Sequence, residues 1–404
     1  MSARRSRVRR VAAALTAVLA LGLVAWPAAA APKPGQGTPI TVMTRNIYLG
    51  GDITRPLRAT AGLSGAAALV AFGNANHALR DVVDQTDFPA RSKLLAREIA
   101  DTEPDLIGLQ EVALWRSGPL EFVPPLFTAV GVANAEHVDY DFLAILLADL
   151  AAIGQPYVAV NIQEESDVEG PSFLGNPFAG TATDTSDVRL TMRDVLLKRA
   201  DNRVKVLASG GQQYAAKLPF VVAGKTFQFI RGYNWADVRV GAKTLRVINT
   251  HLESQTSFYA LAQAQELLAG PANAPGKTVV VLCDCNSDPV NHTTKPGDPT
   301  PHSAPYAFMT APGALTDEWL QFAPDQACEN DRPEPGCTSG LSESVRDPDT
   351  STIDHRIDLI LARGADGQAL PADQGRTVGV DPANRSATGL WPSDHAGVVL
   401  RLRP

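Results

Sequence analysis

The chain has 404 residues, of which 36 are basic and 43 acidic, for a formal charge of −7, and 45% are apolar. That length and apolar content can bury a large core, as one large domain or two ordinary ones. The acidic balance excludes a globally basic face, so attraction to nucleic acid or anionic lipid would have to come from local charges or a bound cation.

Residues 1–10 carry five arginines, and the sixteen that follow, VAAALTAVLALGLVAW, are apolar before the small-residue run 27–31. This pattern predicts a secretory signal over 1–31, cleaved on export, because the apolar run is shorter than the roughly 20 residues a membrane span needs. Residues 32–37 read as a flexible N-terminus and 38–404 as one domain, since no internal repeat or long low-complexity linker follows Gly37. Cleavage after residue 31 leaves 31 basic against 43 acidic side chains, a formal −12.

Seven short runs rich in Val, Ile and Leu predict strands: PITVMTRNI, PDLIGLQEV, RDVLLKRA, KTLRVINTHLE, KTVVVLCDCN, RIDLILA and HAGVVLRLR. Helices are predicted over 91–101, 139–153 and 257–269, where apolar residues recur at helical spacing. Strands and helices interleave, which predicts α with β in layers. Segments 170–187 and 286–350 are rich in Gly, Pro, Asp, Ser and Thr and read as long loops beside chemically interesting strand ends.

Four cysteines in an exported chain invite disulfides. Cys328 and Cys337 flank ENDRPEPG, whose Pro and Gly suit a clasp, so this pair is expected to be linked. Cys283 and Cys285 sit two apart in an apolar run, where a bridge would need strained geometry, and buried free thiols are the competing reading.

Several apolar runs end abruptly in acids, amides or histidines: Asn46, Glu111, His251, and the pair Asp284 and Asn286, with Asp358 inside another run. Alternation along a strand sends Asp284 and Asn286 to one face and the two cysteines to the other. A carboxylate beside an amide offers oxygen donors suited to a hard cation and the phosphate it polarises. Asp358 would be costly in its apolar run without a partner.

In order, the segments Arg45-Asn46-Ile47, Gln110-Glu111, Asn249-Thr250-His251-Leu252, Asp284-Cys285-Asn286-Ser287-Asp288-Pro289, Arg356-Ile357-Asp358 and Ser393-Asp394-His395 resemble the endonuclease/exonuclease/phosphatase family. The resemblance spans nearly the whole mature chain. It implies a four-layer α/β/β/α sandwich with two central, mostly antiparallel sheets and a site at one sheet edge. It also implies a divalent-metal-dependent phosphoesterase. Glu111 would be the principal ligand of Mg²⁺ or Mn²⁺, with Asn46 and Asp394 nearby. His395, oriented by Asp358, would act as general base or steady the phosphate. Asp284 and Asn286 would position the attacking water and the phosphate, and His251 would bond a phosphoryl oxygen or protonate the leaving group. The family has a glycine before the aspartate and an aromatic between Asp and Asn, where this chain has cysteines. Among the family's deoxyribonucleases the equivalent of His251 pairs with an acid, and Asp194 looks like that acid.

The resemblance leaves the substrate open. Nucleic acid is favoured over a membrane lipid, with sphingomyelinase-like lipid hydrolysis the alternative; a remote one is a non-catalytic relative that binds phosphorylated ligands. Arg189, Arg193, Lys198, Arg199, Arg203 and Lys205 cluster in sequence, and Arg231, Tyr233 and Trp235 offer a cation with stacking faces. An apolar stretch at 118–127 is the nearest match to a membrane-entering hairpin. No obligate protein partner is evident, and a secreted monomer is expected.

Overall fold

The computed structural model describes residues 38–120, 133–222, 225–328 and 335–404, with Lys225 described by its backbone alone. The predicted signal at 1–31, the segment 32–37 and residues 121–127 of the apolar stretch lie outside the described residues. No described helix is long and apolar enough to cross a membrane.

Sixteen strands are described: β1 (Ile40–Asn46), β2 (Leu106–Gln110), β3 (Leu114–Gly118), β4 (His137–Asp141), β5 (Tyr157–Leu174), β6 (Thr183–Arg199), β7 (Val204–Gln213), β8 (Leu218–Val222), β9 (Lys225–Phe229), β10 (Gly232–Val240), β11 (Lys243–His251), β12 (Thr278–Asp284), β13 (Thr316–Asp317), β14 (Asp358–Arg363), β15 (Ala372–Val378) and β16 (Gly397–Leu402). The described helices are α1 (Arg55–Ala59), α2 (Gly65–Gln85), α3 (Phe88–Thr102), α4 (Phe142–Ala152), α5 (Ser257–Ala269), α6 (Ala304–Met309) and α7 (Glu318–Phe322).

One sheet runs β15-β16-β1-β2-β6-β3-β4 with β5 also on β6; the second runs β13-β14-β12-β11-β10-β7; β8 and β9 form a separate hairpin. β1–β2 and β11–β12 are parallel, and the other pairings are antiparallel. Side-chain alternation gives each sheet two apolar faces. Ile40 and Val42 of β1, Val280 and Leu282 of β12, and Val398 and Leu400 of β16 fill one cluster between the sheets. On the other face of the first sheet, Met43, Ile107 and Leu197 meet Leu95 and Ile99 of α3 and Leu146 of α4. Behind the second sheet, Val279, Val281 and Leu361 meet Ala260, Ala264 and Leu267 of α5. The layers are therefore helix, sheet, sheet, helix, as the sequence resemblance implied.

All seven predicted strand runs contain a strand, and α5 has the predicted bounds. The helix predicted from 139 begins at Phe142, because Asp141 ends β4 and caps α4 by accepting from the amides of Leu143 and Ala144. Segment 170–187, read as a loop, is largely the far end of the β5–β6 hairpin. Pro171 is tolerated because β5 is flanked by β6 alone, so its missing amide costs no sheet bond. The longest described helix, α2, was not predicted. It buries Ala68, Gly73 and Asn76 alongside Leu69, Leu79 and Val83, so its core face mixes small and polar residues with apolar ones.

Candidate active site

Strand alternation carries polar side chains to one end of the inter-sheet core. Gly108 of β2 lets the sheets close there, since a Cβ would lie 2.6 Å from Asn249 Oδ1 and 2.8 Å from Leu282 Cβ. Just beyond it, the Gln110 amide donates to Asn249 Oδ1 at 2.7 Å, and the Asn249 amide donates to the Leu109 carbonyl at 3.0 Å. Such buried polar groups are tolerated because each finds a partner. Past this layer lie the ends of β1, β2, β11 and β12, with Asn46, Glu111, His251 and Asp284.

Asp358 at the start of β14 and His395 just before β16 meet as the sequence predicted, with His395 Nδ1 2.8 Å from Asp358 Oδ2. Thr338 spans the two approaches: its hydroxyl accepts from the amides of Ile357 and Asp358 at 3.1 Å, and its carbonyl accepts from Ala396. It follows Cys337, which is linked to Cys328 as expected. Arg45 donates to the His395 carbonyl and pairs with buried Glu98. Burial alone would lower the His395 pKa, but Asp358, Asp394 and Asp284 outweigh it and hold the imidazole well above its ordinary value, as a cation.

His251 is the reverse case. Its Nδ1 lies 2.9 Å from the Arg231 guanidinium and its Nε2 3.4 Å from Asp284 Oδ2. A guanidinium only donates, so Nδ1 must be the bare nitrogen and Nε2 carries the hydrogen toward Asp284. Burial, then Arg231 and His395, push His251 well below its ordinary pKa. The family resemblance points to Asp194 as its partner, and the structure places Arg231 and Asp284 on the ring instead. Asp194 is buried against Glu165, which lies 3.9 Å from Arg231. Burial drives both carboxyls upward, Asp194 to about 8. Nδ1 of His251 thus meets a cation, and Asp194 reaches Glu165 rather than the ring.

Asp284 sits between the two histidines. Its Oδ2 accepts from Asn46 Nδ2 at 2.9 Å and lies 3.9 Å from His395 Nδ1, while Oδ1 accepts from the Asn286 amide at 3.1 Å. Cys283 and Cys285 face the outer cluster opposite Asp284, as alternation predicted, but they are linked to each other and the buried-thiol reading is overturned. Asn286 lies past the strand in left-handed backbone (φ 43°), so the alternation argument ends at Asp284; its amide donates to the Leu252 carbonyl at 2.9 Å.

Glu111 turns out of β2 at φ 59°, and one oxygen accepts from Leu49 N at 2.8 Å. With Asp394, Arg231, Glu253 and Tyr48 it lines an open cavity of about 240 Å³. Asn46 Oδ1 accepts from Tyr48 N at 2.9 Å and keeps a second lone pair. Fully buried Arg91, unforeseen in the sequence, ties this loop to the one carrying His395 by donating to the carbonyls of Ile47, Tyr48 and Pro392. Burial lowers it to about 10.

The acids fit a divalent cation. Burial raises Asp284 to about 7, with Asp358 adding to it; burial raises Asp394 to about 6, and Glu111 adds to that while His395 opposes it. Asp358 Oδ1 and Glu253 Oε2 are buried without a hydrogen-bond partner among the described residues. Carboxylates crowded so that they resist ionising together are relieved by a bound ion. Asp284, Asp358 and His395 also place ligand atoms within 4.8 Å of one another, near enough to hold a metal.

The predicted nucleic-acid contacts fare differently. Arg189 pairs with Asp167, Arg193 with Asp141, and Arg199 and Arg203 with Asp105, while Lys198 donates to the carbonyls of Arg199 and Asp201. Tyr233 packs edge-on to buried Tyr214, and Arg246 covers Trp235 at 4.2 Å. Arg189 meets its acid across the β5–β6 ladder, and the other groups are taken up by nearby turns, acids and rings of the protein itself.

Layered sheets with acids, amides and histidines at one rim define a metal-assisted phosphoester hydrolase. The sequence model of the endonuclease/exonuclease/phosphatase family matches residues 74–395, and the chain belongs to that family. It is an enzyme that hydrolyses phosphoester bonds, in a family that depends on divalent metal ions. No functionally curated protein matches the chain. Similar solved structures include an endonuclease/exonuclease/phosphatase from Beutenbergia cavernae (21% identity, 90% of this chain and 71% of that one, TM-score 0.45). They also include D. rerio TDP2 complexed with a single-strand DNA product (16%, 91% and 100%, 0.47) and a mannosyl-6-phosphatase of Bacteroides thetaiotaomicron (14%, 90% and 99%, 0.47).

Proposed function

We propose that the chain hydrolyses phosphodiesters outside the cell, by in-line attack of water. The observation that carries this reading is Asp284 set between one cationic and one neutral histidine, beside an acid-lined cavity. Asp284 accepts a proton from the attacking water as the new bond to phosphorus forms, with Asn46 fixing its orientation. His395, held as a cation by Asp358, gives a proton to the leaving oxygen as its bond to phosphorus breaks, and His251 donates through Nε2 toward Asp284.

Glu111 and Asp394, with the Asn46 carbonyl, are the residues that would hold Mg²⁺ or Mn²⁺. His395 is a poor ligand while Asp358 and its neighbours keep it protonated. When bound, such an ion neutralises charge developing on the phosphoryl group. Export is supported by the charged, apolar and small-residue sequence of 1–31 and by two disulfides, which persist in oxidising compartments.

The test is turnover of bis(p-nitrophenyl) phosphate by the mature protein with Mg²⁺ or Mn²⁺, then with EDTA, and by Glu111→Gln. EDTA and the variant should each lower the rate by at least about 10³-fold, a deficit of the size expected when transition-state charge is left unbalanced. Hydrolysis that persists in metal-free buffer would overturn the reading. Plasmid DNA belongs in the same assay, because the basic side chains expected to track a nucleic acid, Lys205 apart, are already bonded within the protein.

A further inference from the structure

Beside the acidic cavity lies a second one of different character, with a volume of about 90 Å³. Its wall is almost wholly apolar, with Leu57, Phe72, Trp115, Leu190 and Phe220 among its lining residues. The polar groups in the wall are satisfied within the protein. The Asn76 amide donates to the carbonyls of Gly170 and Pro171, Glu169 accepts from the amides of Asn134 and Ala135, and Ser166 bonds the backbone of Ile230. The cavity therefore offers a ligand burial and no free hydrogen-bonding group.

Two further observations say what enters it. Ile53, Met192 and Phe229 line both cavities, so a molecule whose phosphate sits by Glu111 and Asp394 reaches the apolar wall without leaving the protein. The acidic cavity is lined by Asp52, Glu111, Glu253, Glu343 and Asp394; Asp52 and Glu343 are paired with Arg58 and Arg55, while Glu111, Glu253 and Asp394 share the lining with one cation, Arg231, which is spent on His251. A polyanionic strand would meet repulsion on every phosphate that no metal covers, whereas a ligand with one phosphate needs one metal-covered position. The β8–β9 hairpin, which pairs with no other strand among the described residues, supplies Phe220, Val222, Phe227 and Phe229 to the apolar wall and turns Val221 outward, 63% exposed.

We propose that this apolar cavity is the subsite for the aliphatic chain of a lipid phosphodiester, so that the enzyme's substrates carry one phosphodiester and a hydrocarbon tail. This rests on the phosphodiester-hydrolysing reading above.

The experiment follows p-nitrophenolate release from p-nitrophenyl alkyl phosphodiesters, methyl to octyl, below their aggregation concentrations, with Mg²⁺ or Mn²⁺ present. Burying each methylene should raise kcat/KM about fourfold until the cavity is filled. Val168→Trp places a large ring into the cavity from a lining position that is 37% exposed, and should pull the octyl-to-methyl ratio toward one. The ratio is internal to each protein, so partial loss of folded enzyme does not move it; Leu57→Trp, on α1, is the second variant. A flat series in the wild type with measurable methyl turnover overturns the subsite and leaves phosphodiester hydrolysis standing. A steep series that survives both substitutions also overturns it, because the chain then binds elsewhere. No turnover of any member, methyl included, defeats the phosphodiesterase reading and this inference with it.

Discussion

His395 and His251 flank the same carboxylate, Asp284, and the protein drives them to opposite protonation states. Both are buried, which by itself favours the neutral ring. His395 meets Asp358 on Nδ1 and has two more acids nearby, so it is held as a cation. His251 meets Arg231 on Nδ1, so it is held neutral with its hydrogen on Nε2. A histidine at a strand end has no fixed role: the group on its far nitrogen decides whether it brings a charge or only a hydrogen bond.

The largest effect should come from the charged member. His395→Ala should lower turnover by about 10³- to 10⁴-fold, within the range for losing a positioned acid or base. Asp358→Asn leaves the ring but removes its charge partner, and should cost nearly as much. Because the two act as a unit, adding the second substitution should cost far less than the product of the single effects, as read from kcat/KM of the four proteins. Full multiplication would mean that Asp358 serves something other than His395, and the contrast between the histidines would lose its cause.

The neutral member should be less costly. Arg231→Met frees His251 Nδ1 and removes a nearby positive charge, so turnover should fall by about 10²-fold, a lower-end loss for one misdirected donor. Nitrogen NMR of the imidazoles separates this from simple misfolding. In the wild type His251 should stay in the Nε2–H form through neutral pH, while the variant should show a ring that titrates. A His251 that is already cationic in the wild type at pH 7 would refute the assignment.

The sequence made His395 legible and His251 only half so, for a physical reason. Asp358 stands in an apolar run where an unpartnered carboxylate is expensive, so its need for a partner is visible in one dimension. Arg231 stands between two strands in Phe229-Ile230-Arg231-Gly232-Tyr233, and nothing in its spacing points to a ring twenty residues on. The family resemblance points to Asp194 as the partner, but Glu165 on the neighbouring β5 takes it up, a contact that only sheet pairing reveals. The strands were readable wherever apolar runs were pure, and α2 was not, because Ala, Gly and Asn share its core face.

The two disulfides bear on the comparison through the loops they hold. Cys328–Cys337 precedes Thr338, which positions the Asp358–His395 pair, while Cys283–Cys285 brackets Asp284, which both histidines share. Closing a ten-residue loop is worth about 2.7 kcal/mol in the chain-entropy picture and closing a three-residue loop about 1.6 kcal/mol. Thus Cys328→Ser with Cys337→Ser should lower Tm more than Cys283→Ser with Cys285→Ser. Turnover should rank the other way, by roughly threefold or less, an allowance of under about 1 kcal/mol for backbone at Asp284 losing its clamp. Equal turnover losses in the two pairs would show that the bracket around Asp284 has no part in holding it.

Asp194→Asn should change turnover least of all, and stability in a way that depends on pH. Asp194 has its folded pKa raised to about 8, chiefly by burial, from an ordinary value of about 3.9. The folded state therefore binds the extra proton between those limits. For a raised carboxyl, the stabilising contribution is complete below the ordinary value and is lost as pH climbs to the folded one, with a slope of at most about 1.4 kcal/mol per pH unit for one proton. Wild-type Tm should accordingly fall between pH 5 and 8, and Asn, which stays neutral, should flatten that fall and become the relatively more stable protein at pH 8. If instead Tm falls equally in both proteins, Asp194 does not hold the proton. If turnover falls with Asp194→Asn as far as with Arg231→Met, the acid acts on His251 after all, and neutrality at that histidine needs a different explanation from the guanidinium on Nδ1.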